Sequence, residues 1–91
     1  MLDMKTFYKR NDTIVIRKLG GKQWALNMET GSEYVLNETA YDMLEVLSAR
    51  HTTEELVSVI GGWYDAPTSV LTRDCEAWLQ DALEKGLVDK T

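Results

Sequence analysis

The sequence predicts an α+β fold, a three-stranded antiparallel sheet followed by three helices, and three observations predict it. Residues 13–36 are rich in β-branched and aromatic side chains and are interrupted at Gly20-Gly21 and at Glu29-Thr-Gly-Ser32, the pattern of a meander with tight turns. From Asn37 onward the apolar residues recur at three- and four-residue spacing, the period of a helix face. The whole chain has 91 residues, 44% of them hydrophobic, which is one domain with one core.

The first strand is Thr13-Ile-Val-Ile-Arg-Lys-Leu19. Gly20-Gly21 then permits the positive φ angles of a two-residue hairpin turn, and Lys22-Gln-Trp-Ala-Leu-Asn-Met28 returns. By the period-two rule Trp24, Leu26 and Met28 share one face, expected to be the inward one, with Gln23, Ala25 and Asn27 outward. A second turn with Gly31 at its left-handed position leads into Ser32-Glu-Tyr-Val-Leu36. Ahead of this meander, Phe7 and Tyr8 either add a short strand or pin the terminus; the sequence leaves both open.

Asn37 stands directly before Ala40, Met43, Leu44 and Leu47 and is the natural N-cap of a first helix over about 38–49. No linker separates it from the third strand, so strand and helix are stiffly joined. Thr52-Thr-Glu-Glu55 has the form of a capping box, and Leu56, Val59, Ile60 and Trp63 continue a second helix over about 53–63. Pro67 suits the first turn of a third helix over about 67–85, whose stripe is Val70, Leu71, Cys75, Trp78, Leu79, Ala82 and Leu83. Gly86 caps it, and Leu87-Val88 folds back onto the core. A run of strands followed by a run of helices implies that the helices cover one sheet face, and three helices beside a short sheet predict a winged-helix-like arrangement. Trp24, Trp63 and Trp78 are expected in the core, and Cys75 as a buried small hydrophobe. His51, just past the first helix, suits a cap at its C-terminus.

Composition excludes several classes of function. A net charge of −5 and a pI near 4.7 oppose binding to nucleic acid, which needs a clustered basic surface. No apolar run approaches the ~20 residues of a membrane span, and Met-Leu-Asp-Met-Lys5 has no signal-peptide core, so a cytoplasmic protein is expected. One cysteine forms no internal disulfide, in keeping with a reducing compartment. One histidine and one cysteine do not furnish a Cys/His metal cluster, and there is no phosphate loop or nucleophile elbow. Neither a cofactor nor catalysis is implied, and a chain this small favours a surface groove over an enclosed active site.

Four motifs in order carry a family resemblance. Leu36-Asn-Glu-Thr-Ala40 opens the first helix, Thr52-Thr-Glu-Glu-Leu56 the second, Tyr64-Asp-Ala-Pro67 forms the connector, and Leu83-Glu-Lys-Gly-Leu-Val88 closes the last helix. Over residues 14–88 the chain resembles the PqqD-like family, small modules that recognise the leader of a ribosomally made precursor peptide while another enzyme modifies its core. The resemblance implies that the leader adds as a strand to the third strand, in a groove whose other wall is the third helix. On this chain the peptide-binding residues would be Ser32, Glu33, Tyr34, Val35 and Leu36 on the strand, with Val70, Arg73, Asp74, Ala77, Trp78 and Asp81 on the helix. Tyr34 and Leu36 share one strand face and Glu33 and Val35 the other; the sequence does not say which lines the groove. The implied partners are the leader peptide and a separate modifying enzyme, a radical SAM enzyme or a leader peptidase or cyclase, with the chain itself a monomer or weak homodimer. Two other classes share the topology: a subunit that self-pairs through its edge strand, and a winged-helix DNA-binding protein. The acidic third helix opposes the latter.

Overall fold

The computed structural model describes residues 6–91; the reading of Met1 to Lys5 for a signal peptide lies outside them. Along the chain come β1 Phe7–Arg10, β2 Ile14–Leu19, β3 Lys22–Asn27, β4 Glu33–Leu36, α1 Glu38–Val46, β5 His51–Thr52, α2 Thr53–Gly61, α3 Thr68–Glu84 and β6 Val88–Lys90. The expected meander is the antiparallel sheet β2-β3-β4, and the α+β order of strands before helices holds. Gly20 and Gly21 turn its first hairpin with φ of 59° and 80°, the paired positive angles that match the strand twist.

A second sheet was not expected. β1 lies between β5 and β6 and pairs antiparallel with both, which resolves the role of Phe7 and Tyr8 as strand residues. Segments this short have no periodicity of their own and hold together because tertiary packing brings them side by side. The sheet ties both ends of the described chain to the link between α1 and α2. Backbone bonds from Arg10 N–H to the Leu47 carbonyl (2.6 Å) and from Asn11 N–H to the Leu87 carbonyl (2.9 Å) extend that tie. His51 accordingly sits in β5, not as a helix cap, with Nδ1 2.9 Å from the carbonyl oxygen of Ala49.

The helix boundaries follow their caps. Asn37 Oδ1 accepts the Ala40 N–H at 2.8 Å. In the capping box, Thr52 Oγ1 accepts the Glu55 N–H at 3.1 Å while Thr52 N–H donates to Glu55 Oε1 at 2.9 Å. α1 and α2 end a turn or less earlier than their apolar spacing suggests, with Leu47 and Gly62 as C-caps. α3 stops before Gly86, whose φ of 74° reverses the chain and returns buried Leu87 and Val88 to the core. Leu44, Leu56 and Leu79 are completely buried, each worth about 1.5–3 kcal/mol relative to exposure.

The inward face of β3 is the reverse of the expected one. Register places Ile16, Ala25 and Tyr34 in one row and Arg17, Trp24 and Val35 in the next. Ala25 is fully buried, whereas Met28 is 62% exposed. The core face therefore carries Ile14, Ile16, Ala25, Tyr34 and Leu36, and Trp24 and Leu26 lie on the outer face, half-buried. Ala25 has no bulk beyond Cβ, so α1 packs closely on the sheet there; a tryptophan on this face would hold it off. The other tryptophans also depart from expectation: Trp78 is half-buried against the core and Trp63 is exposed. The largest fully buried side chains are instead Tyr8, Leu44, Leu47, Leu56, Ile60, Leu79, Val88 and Thr53.

Candidate functional site

The sheet β2-β3-β4 has two edges, and the ladder determines which backbone groups each one offers. Asn27 N–H donates to the Ser32 carbonyl at 2.8 Å, so Asn27–Ser32 is a hydrogen-bonded pair. Such pairs alternate with non-bonded ones, which makes Ala25–Tyr34 and Gln23–Leu36 the bonded pairs of β3 and β4. Glu33 and Val35 fall between them. Their N–H and C=O groups point away from β3, along the free edge of β4. The Met28 N–H bond to the Thr13 carbonyl, 2.8 Å, sets β2 and β3 in the complementary phase and confirms the alternation.

The two edges are not equally open. On β2 the Lys18 side chain lies over the Tyr41 ring at 5.2 Å and, with Arg17, puts charge on the edge, the usual protection against strand addition. β4 has no proline, and its Val35 is 92% exposed. An edge of four residues with Glu33 as its one charge is thus presented immediately before the rigid step into α1.

The helix α3 approaches β4 at its C-terminal end, on the core side at Tyr34. Near its C-terminus Lys85 Nζ lies 6.0 Å from the Tyr34 ring centroid and 2.9 Å from Asp81 Oδ2. Nearer its N-terminus, Leu71, Asp74 and Cys75 line a cavity of about 210 Å³ together with Thr39 and Met43 of α1 and Ile60 and Tyr64. Helical spacing groups Val70, Asp74, Trp78, Asp81 and Lys85 into one stripe along the flank of the buried face. Trp78 and Val70 are half-buried, and Asp74 and Asp81 are exposed. Arg73 and Ala77 lie on the next stripe outward; Arg73 Nε is 3.8 Å from Asp74 Oδ1 with both side chains mostly exposed, a contact of little energetic weight. On β4, Tyr34 and Leu36 face the core side and Glu33 and Val35 the outer face, while Ser32 is exposed in the preceding turn.

Lys85, Thr39 and Met43 were missed as site residues. Lys85 was legible as the i+4 partner of Asp81; the cavity was not, because it joins residues of separate helices. Burial, and secondarily the Asp74 carboxylate, pushes the Cys75 thiol from its ordinary 9.0 up to about 11. At neutral pH it is a protonated thiol, unsuited to nucleophilic attack. Among the described residues no group of three or more His, Cys, Asp or Glu is placed to hold a metal ion, and no helix is long and apolar enough to cross a membrane. A further cavity of about 580 Å³ lies between α2 and α3, lined by Glu54, Val57, Ser58, Leu71 and Thr72 among others.

The sequence profile described as coenzyme PQQ synthesis protein D (PqqD) matches residues 23–88. Two solved structures have similar folds. TbiB1 in complex with the TbiA(beta) leader peptide superposes with a TM-score of 0.77 at 22% identity, over 89% of this chain and 94% of that one. A lasso peptide synthetase B1 complexed with the leader peptide superposes with a TM-score of 0.75 at 18% identity, over 90% and 96%. At these identities the likeness is one of fold. No curated protein sequence matches the chain.

Proposed function

Since the chain belongs to the PqqD family, we propose that it binds the leader segment of a ribosomally made precursor peptide as a strand added to β4 and presents the remainder to a separate modifying enzyme. The observation that carries this reading is the open edge of β4, with the backbone groups of Glu33 and Val35 directed along it. An extended peptide satisfies those groups by main-chain hydrogen bonds, and side-chain sites then give selectivity. Both similar solved structures are complexes with leader peptides, which supports the same use of the fold here.

In this reading residues 32–36 supply the strand, and Val70, Asp74, Trp78 and Asp81 form the facing wall, with Arg73 and Ala77 at its outer rim. The cavity beside Thr39, Met43 and Cys75 accepts one apolar leader side chain. Asp74 and Asp81 favour a lysine or arginine nearby, tuning selection more than strength because exposed ion pairs contribute about 0–1 kcal/mol. A short strand with one apolar anchor reaches about micromolar affinity, roughly −8 kcal/mol, weak enough for the peptide to be released. The protein performs no chemistry itself; its enzyme partner is a radical SAM enzyme or a leader peptidase or cyclase, and it acts as a monomer or weak homodimer.

An amide-resolved NMR titration with the leader segment of a precursor encoded beside it tests this. Saturable shifts in residues 32–36 and along Val70 to Asp81 are expected. A folded protein that shows none with several such leaders would instead favour self-pairing through the same edge.

A further inference from the structure

We infer that the bound segment is read on both of its faces, and that Val35 and Glu33 read the outward one, selecting a β-branched or aromatic residue opposite Val35 and a lysine or arginine opposite Glu33. This rests on strand addition to β4. A strand bonded to that edge continues the pleat, so alternate side chains stand on the outer face of the sheet, beside those of β4.

The rows already on that face determine what those side chains meet. One row runs Arg17, Trp24, Val35 and ends at the edge; the other runs Val15, Leu26, Glu33 and ends there too. Val35 has Trp24 on one side and solvent on the other, at 92% exposure. Such an apolar β-branched side chain on an open edge is the opposite of the protection edge strands normally carry. A β-branched or aromatic residue placed next to it extends the Trp24–Val35 pair, the class of cross-strand pair that favours pairing. Glu33 is exposed and makes no ion pair among the described residues. A cation directly opposite completes its row.

The two outward positions are two residues apart, and the residue between them points to the core side, toward α3. The ligand class is therefore an extended peptide with an outward β-branched or aromatic residue and an outward Lys or Arg flanking one inward residue. Reading the groove side alone would leave those outward positions unconstrained.

The test is selection of phage-displayed random dodecapeptides on the immobilised full chain, in parallel with Glu33→Lys and Val35→Lys. These exposed positions leave the fold intact. For the unsubstituted chain both outward preferences should emerge, each enriched about two- to five-fold over background. Glu33→Lys should exchange the Lys/Arg preference for Asp/Glu while keeping the other, and Val35→Lys should replace the apolar preference with Asp/Glu. An identical consensus from all three proteins, lost on the Glu33→Pro, Val35→Pro double variant, would overturn outward reading and leave strand addition standing. Absence of any enriched peptide, or enrichment that survives the double proline variant, would overturn both.

Discussion

Replacing Val35 by proline removes a backbone N–H that the ladder with β3 does not use, because the bonded pairs are Ala25–Tyr34 and Gln23–Leu36. Proline also requires an extended residue before it, and Tyr34 already is one. The folded state therefore loses little, apart from adjusting φ toward −65°. A leader strand loses one hydrogen bond, worth about 0.5–1.5 kcal/mol net, or about two- to twelve-fold in affinity. Glu33→Pro acts the same way on the neighbouring outward N–H, so the double variant should bind about five- to 150-fold more weakly if the terms add. The pyrrolidine rings, which project into the space an added strand would occupy, push toward the upper figure. Tyr34→Pro is the contrasting control: it deletes an N–H within the ladder and should destabilise the protein itself by about 1–3 kcal/mol. Fluorescence anisotropy with a labelled leader gives the affinities, and thermal melts verify folding. A double variant that melts like the parent and binds with unchanged affinity would refute strand addition at β4.

Other predictions concern the supports of the site. Asn37→Ala removes the side-chain bond to Ala40 N–H and should cost about 1 kcal/mol in denaturant unfolding, with amide shifts concentrated at the junction of β4 and α1. Gly86→Ala meets no neighbouring atom within 4 Å, yet φ is +74°; the expected loss of about 1–2 kcal/mol is wholly conformational. Cys75 predicts an alkaline dependence. Its folded pKa of about 11 exceeds the ordinary 9.0, so its stabilising contribution is complete below pH 9 and is lost as pH rises through 11, by roughly 3 kcal/mol at the limit. Cys75→Ala should flatten the pH dependence of the melting temperature in that window, and an equally steep decline in the variant would count against a buried, protonated thiol.

The parts of this protein legible in its sequence are those governed by neighbours along the chain. The Gly20-Gly21 hairpin, the Asn37 cap, the Thr52 capping box and the return at Gly86 each depend on a few adjacent residues whose dihedral preferences and hydrogen bonds are local. Alternation likewise separated Tyr34 and Leu36 from Glu33 and Val35. Which of those sets faces inward was beyond its reach, and for β3 the larger side chains pointed to the wrong face. That choice depends on what packs above the sheet: α1 comes down on Ala25, and tryptophan has the size for the open side but not for the closed one. The sheet of β1, β5 and β6 was equally hidden, since strands of two to four residues acquire their partners only when the ends of the chain meet. At the site, sequence supplied the edge strand and the acidic helix, while tertiary structure alone brought Lys85 to Tyr34 and enclosed the cavity between Thr39 and Cys75. Backbone preference acts over a turn or two, but a groove is made by the distance between elements, and that distance is set by packing.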